Sequence, residues 1–157
     1  MPGVCFNMAN CFLCPRACGA DRDISAGLCG AEALPRVAKC MLHLWEEPFI
    51  SGTRGSGAVF FSGCNLGCVY CQNHEIRDGR IGEIQDADAL ADTYLALQDQ
   101  GAHNINLVTA AHHVPVVAES LRLAKTQGLR IPVVYNSGGY ELVETLRLLD
   151  GLVDVYL

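Results

Sequence analysis

Gly63-Cys64-Asn65-Leu66-Gly67-Cys68-Val69-Tyr70-Cys71-Gln72-Asn73 decides how the rest of this chain reads. It follows an apolar run, Ala58-Val59-Phe60-Phe61, that has the composition of a buried strand. Three thiols therefore sit on a glycine-bearing loop just past the carboxyl end of a strand, spaced C-x3-C-x2-C. No cysteine occurs from Gln72 to Leu157. Soft thiolates select iron–sulfur clusters, zinc or cuprous copper. A cubane cluster has four irons, so three thiolates leave one iron open to a small molecule. A zinc knuckle or three reduced core cysteines is the blander alternative.

Downstream of the loop, strand and helix signals alternate. Asp86 is placed to cap a helix whose stripe is Ala87, Leu90, Tyr94 and Leu97, ended by Gly101. Residues 104–109 read as a strand. Pro115 opens a helix with Val117, Leu121 and Ala124 on one face and Gly128 at its end. A strand over 131–136, a helix over 141–150 and a strand over 152–157 complete the order. Strands alternating with helices of this length predict right-handed crossovers and a parallel sheet. In such folds the chemistry lies at the carboxyl ends of the strands. Those ends carry Cys64–Cys71, then Thr109 to His113, then Asn136-Ser137-Gly138-Gly139. Asn104 and Asn106 share a strand face, and Asn106 is expected to face the site. An adjacent histidine pair, His112 and His113, reads as soluble loop surface, with proton shuttling as the functional alternative.

Cys64, Cys68 and Cys71, with Tyr70 before the last thiol, resemble the signature of the radical S-adenosylmethionine (SAM) enzymes. Glu46-Glu47-Pro48, Ile50-Ser51-Gly52, Gly55-Ser56-Gly57 and Cys71-Gln72-Asn73 resemble the branch of pyruvate formate-lyase activating enzyme-like proteins. The resemblance runs from about Cys11 onward. It implies a [4Fe-4S] cluster on Cys64, Cys68 and Cys71, whose open iron chelates SAM. Reductive cleavage would then give methionine and a 5′-deoxyadenosyl radical that abstracts a substrate hydrogen. It also implies an electron donor such as flavodoxin or ferredoxin and, for a glycyl-radical activase, a protein substrate. Tyr70 would lie near the adenine, its role carried partly by backbone. Many family members carry Gly-Gly-Glu after the second strand to meet the SAM amino group; here Val108-Thr109-Ala110-Ala111-His112-His113 stands instead. Thr109 and His112 are the substitutes, and Asn136 completes the expected cofactor contacts. The family's six-unit partial barrel is matched only in its front four strands. The expectation is therefore a truncated (β/α) barrel that assembles the cluster but binds SAM weakly, turns over little and tends to associate.

The nine cysteines partition into four over Cys11–Cys29, three over Cys64–Cys71, with Cys5 and Cys40 left over. Cys11, Cys14, Cys18 and Cys29 form C-x2-C-x3-C-x10-C beside Pro15, Gly19 and Gly30. Four thiolates on a short loop make a self-contained site for zinc or an accessory iron–sulfur cluster. The spacing speaks for a metal and leaves its identity open. The chain divides into a Cys-rich segment and linker over 1–50 and the incomplete barrel over 51–157. Within the linker, Glu46 or Glu47 either reaches the site or forms a solvated edge. A net charge of −6 with 11 basic residues and no Lys/Arg cluster argues against a nucleic-acid partner. No stretch of about 18 apolar residues reads as a membrane span. The first residues lack a signal-peptide pattern, so a cytoplasm that keeps thiols reduced is expected. The competing class is a non-catalytic iron–sulfur or zinc protein acting as electron carrier or scaffold, which would normally give each cluster four cysteines.

Overall fold

In the computed structural model residues 8–157 are described; Cys5 lies outside them. Eleven strands and helices follow in chain order: β1 (Arg36–His43), α1 (Pro48–Ser51), β2 (Ser56–Phe61), α2 (His74–Arg77), β3 (Glu83–Ile84), α3 (Ala87–Asp99), β4 (Ile105–Val108), α4 (Val114–Thr126), β5 (Val133–Asn136), α5 (Val143–Leu146) and β6 (Val155–Tyr156). They build one six-stranded sheet in the order β3-β1-β2-β4-β5-β6. From β2 to β6 every pairing is parallel, while β1 lies antiparallel to both β2 and β3. The parallel β/α order expected from the sequence is thus present, as an open mixed sheet.

The two faces of that sheet follow from the period of two along each strand. Val59 and Phe61 of β2, Ile105 and Leu107 of β4, and Val133 and Tyr135 of β5 belong to one buried cluster. The stripes Leu90, Tyr94, Leu97 of α3 and Val117, Leu121, Ala124 of α4 belong to the same cluster. Full burial of each Leu or Ile contributes on the order of 2 kcal/mol, so this layer carries most of the fold's stability. Asp86 caps α3 as expected, accepting from the Ala89 amide at 2.9 Å. Pro115 sits in the first turn of α4, where its missing amide costs nothing.

The opposite face presents cross-strand rows. Ala58 pairs with Asn106 and Asn106 with Val134; one row nearer the carboxyl ends, Phe60 pairs with Val108 and Val108 with Asn136. Below them Ser56 Oγ donates to Asn104 Oδ1 at 2.6 Å, and Asn104 Nδ2 donates to Ile50 O at 2.7 Å. That pins α1 beneath the sheet and satisfies the lower of the two strand amides.

Three expectations change. Residues 36–43 are not linker: they form β1, the longest strand. The helix expected over 141–150 is one turn, α5, followed by a 3-10 turn over Arg147–Leu149. The last strand shrinks to Val155–Tyr156, because Leu152 turns into the core and Asp154 Oδ2 accepts from the Val133 amide at 2.8 Å. Among the described residues no helix is long and apolar enough to cross a membrane.

Candidate metal and cofactor site

The cysteine loop leaves the end of β2 under tight backbone control. Gly63 N donates to Ile76 O at 2.8 Å and Cys64 N to Cys29 O at 2.9 Å. Gly63 has φ +88°, and a Cβ there would lie 2.8 Å from Cys29 O and 3.1 Å from His112 Nε2, so only glycine fits. Arg16 donates to the carbonyls of Asn65 and Leu66, the latter at 3.0 Å. Arg77 Nη1 donates to Cys68 O at 3.0 Å, and Asn65 Nδ2 to Tyr140 O at 2.6 Å. The loop is therefore clamped by the N-terminal segment, by α2 and by the loop after β5.

Cys64, Cys68 and Cys71 are half-buried and line a single cavity of about 520 Å³. Phe60, Val108 and Asn136, the upper row of the sheet, form its floor, and Thr109, Ala111, Ser137 and Gly138 continue the wall from the strand ends. His43, the last residue of β1, and Trp45 and Glu46 just beyond it close another side, so of the two glutamates Glu46 reaches the cavity. Asn65, Gln72 and Asn73 add polar groups beside the thiols. Thr109 adopts φ +61°, a left-handed conformation that is unfavourable for a β-branched residue, and its amide donates to Asn136 O at 3.0 Å.

Other expected contacts fall elsewhere. Tyr70 is 87 % exposed and Val69 93 % exposed, because the flanking thiols take the inward positions and force both outward; Tyr70 does not line the cavity. Asn106 lies one row below the floor, fully buried, and neither its Nδ2 nor its Oδ1 has a hydrogen-bond partner among the described residues. It is on the expected face but not in the wall. Ser137 lies where the strand-end reading put it, whereas His43 and Phe60 were not expected in the site by sequence; the first could have been found only by recognising β1.

The histidine pair corrects the surface reading. The chain after β4 turns inward as a 3-10 turn over Ala111–His113, and both rings are buried. His112 Nε2 lies 2.8 Å from Ser62 O and must carry the proton there, since a carbonyl only accepts. His113 Nδ1 lies 3.1 Å from Arg22 Nη2 and must accept, since a guanidinium only donates. The accepting Nδ1 leaves the His113 ring neutral. Burial lowers the His112 pKa to about 4, with nearby Arg22 adding to the effect against the Ser62 bond. Burial, then His112 and Arg22, holds His113 well below its ordinary value.

In the N-terminal set Cys11, Cys14 and Cys29 are buried and Cys18 is half-buried; none of the eight described cysteines is in a disulfide. Burial pushes the Cys29 thiol up. Burial also opposes ionisation of Cys18, but the backbone amides around Leu28 and Ala20 outweigh it and bring that thiol below its ordinary value. Among the described residues no three Cys, His, Asp or Glu side chains converge closely enough to grip one metal ion. Three thiols spread along one cavity wall suit a polynuclear cluster, which holds its ligands apart, better than a single ion. The donor set thus fits the four-iron cluster expected on the loop.

The model of the Radical SAM superfamily matches residues 58–157, more than half of the chain. The chain is also 31 % identical over 155 residues to an uncharacterized protein, MJ0674, of Methanocaldococcus jannaschii. That similarity covers 94 % of this chain and 44 % of the relative, so the chain spans less than half the relative's length.

Proposed function

From the premise that the chain belongs to the radical SAM superfamily, we propose that Cys64, Cys68 and Cys71 hold the [4Fe-4S] cluster and that the adjoining cavity receives SAM. The carrying observation is the convergence of those three thiols on one cavity at the carboxyl ends of parallel strands. At about 520 Å³ the cavity falls within the range of roughly 300–1,000 Å³ usual for small-molecule sites. When bound, cluster and SAM supply a 5′-deoxyadenosyl radical on receipt of one electron from a flavodoxin- or ferredoxin-type donor.

The chain's own residues bind, orient and shield. Phe60 and Val108 form an apolar floor that excludes water beneath the ligand. Asn65, Asn73, Asn136 and Ser137 supply neutral donors and acceptors, and Glu46 the carboxylate on the wall, in place of the family's Gly-Gly-Glu. Thr109, held in its strained conformation by the Asn136 carbonyl, directs its hydroxyl-bearing side chain at the cavity rim as the amino-group contact. His112 acts behind the loop: its bond to Ser62 O fixes the residue two before Cys64. It does not serve as a base.

The hydrogen donor in this reading is carried on a protein, a glycyl-radical partner among the candidates. Support comes from the exposed apolar rim: Trp45 at the cavity and Val69 and Tyr70 on the loop stand in solvent, too large a surface for a small molecule to cover. Anaerobic reconstitution followed by electron paramagnetic resonance of the reduced protein tests the site. The expected result is a four-iron signal that changes on adding SAM and is lost in Cys68→Ala. A signal indifferent to SAM, or to that substitution, overturns the reading.

A further inference from the structure

Arg22 has no part in the chemistry above, yet it is among the most deeply buried side chains, at 2 % exposure. All three guanidinium nitrogens are engaged. Nε and Nη2 donate to Glu32 O, Nη1 to His112 O at 2.6 Å, and Nη2 to His113 Nδ1 at 3.1 Å. Nη1 also lies 3.9 Å from Cys11 Sγ. The backbone carbonyls and the His113 ring among these acceptors carry no charge. The ion pairs among the described residues are Arg36–Glu32 and Arg77–Asp78, so no carboxylate answers Arg22. An arginine is always charged, and a buried charge without a counter-charge is strongly disfavoured. Something anionic belongs beside it.

The candidates for that charge surround it. The segment folds back through Arg22 N to Met8 O at 2.7 Å, Cys11 N to Ala20 O at 3.0 Å and Ala33 N to Arg22 O at 3.0 Å. This sets Cys11 Sγ beside the guanidinium, whose charge also acts on Cys18 and Cys29, while Cys14 and Cys11 act on Cys29. Gly27 opens the space between two of the thiols: a Cβ there would lie 3.5 Å from Cys18 Sγ and 3.6 Å from Cys29 Sγ. These thiols do not converge closely enough to grip one metal ion, so the occupant they fit is polynuclear. Four thiolates around a [4Fe-4S] core of charge +2 carry a net charge of −2.

We propose that Cys11, Cys14, Cys18 and Cys29 hold a second, dianionic four-iron cluster, with Arg22 as its buried counter-cation and as its brace to the turn after β4. Through His112 O and His113 Nδ1 the same guanidinium grips the turn that follows Thr109 and Ala111, both in the wall of the cofactor cavity. Loading the centre therefore firms that wall. The proposal uses none of the three loop cysteines and stands apart from the SAM reading.

The test begins with the full chain carrying Ala at Cys64, Cys68 and Cys71. It is expected to retain about four irons per chain. Iron at that level supports the centre; its absence, with or without zinc, overturns it. Should the triple variant not fold, total metal on the wild type decides: one centre beyond the loop cluster supports, none refutes. Arg22→Met and Arg22→Lys on the wild type then isolate the counter-cation. With the centre loaded, Arg22→Met should lose metal to a chelator about 10–100-fold faster, and Arg22→Lys should restore most of the retention. In the metal-free chain Arg22→Met should be at least as resistant to denaturant as wild type, because the unanswered charge is gone. A variant that holds metal as tightly as wild type, or weakens loaded and metal-free chains alike, shows Arg22 to be a packing residue only.

Discussion

Acid should destabilise this protein through His112 by an amount the structure allows one to size. The ring is 1 % exposed and donates from Nε2 to Ser62 O, with Nδ1 lacking a partner among the described residues. Its folded pKa of about 4 lies below the unfolded value near 6.5. The unfolded chain therefore takes up the proton first, and stability falls as pH drops. The contribution of the neutral ring is fully present above about pH 6.5 and is lost between there and about pH 4. Linkage across a gap of that size removes about 2 kcal/mol by pH 5 and about 3 kcal/mol once the window is crossed. His113 acts in the same direction, since its proton would displace Arg22. The assay is denaturant unfolding of wild type and His112→Gln at about pH 7.5 and about pH 5. Thiol protonation and metal loss affect both proteins, so the difference between them reports the ring. Wild type should lose about 2 kcal/mol more than the variant over that interval. Parallel losses would refute the argument and show that His112 reaches water or a protonated state the fold tolerates.

Three further outcomes follow from individual side chains. Asn106→Leu removes two buried polar atoms that have no partner among the described residues, so stability should hold or rise by about 1 kcal/mol; a loss above about 2 kcal/mol in thermal unfolding would mean that the amide is satisfied in place. Thr109→Gly relieves a left-handed β-branched backbone worth on the order of 1 kcal/mol, so it should not destabilise, whereas equilibrium SAM binding should weaken; unchanged binding removes Thr109 from the site. Arg16→Ala cuts the clamp on Asn65 and Leu66, and hydrogen–deuterium exchange over residues 64–68 should quicken without change in α3 or α4; a uniform change across the chain would point to global loosening instead.

Sequence periodicity found what periodicity can find. The stripes of α3 and α4, the Asp86 cap and the buried runs of β2, β4 and β5 are local patterns, and each fixes its element without help from distant residues. β1 escaped because it has no clean alternation. Its eight residues are mostly half-buried, Lys39 and Cys40 are exposed, and a bulge between Val37 and Lys39 shifts its pairing with β2. The histidine pair escaped for a different reason. A loop normally lies on the surface, and what buries this one is Arg22, ninety residues earlier in the chain. The three-thiol motif was legible because its ligands are neighbours in sequence. The rest of the cavity was legible only in part, since His43, Trp45 and Glu46 reach it by way of the unrecognised strand.

The superfamily match starts at residue 58, but the loop it describes is held from outside that span. Arg16 closes two of the loop's carbonyls, Cys29 O receives the Cys64 amide, and Arg36 O receives the amide of Ser62. The Thr145 hydroxyl returns the contact by donating to Leu13 O at 2.8 Å, tying the Cys-rich segment to α5 as well. A cluster loop must keep three thiols in fixed register through a change of redox state, and a glycine-rich backbone alone cannot do that. Here the stiffness comes from hydrogen bonds to a segment that carries four thiols of its own. The residue joining the two sets most directly is Cys29, whose sulfur belongs to the first set and whose carbonyl orients the first cysteine of the second. A metal that fixes the Cys29 side chain thereby fixes its backbone, and through one bond of 2.9 Å it also sets the direction in which Cys64 enters the cavity.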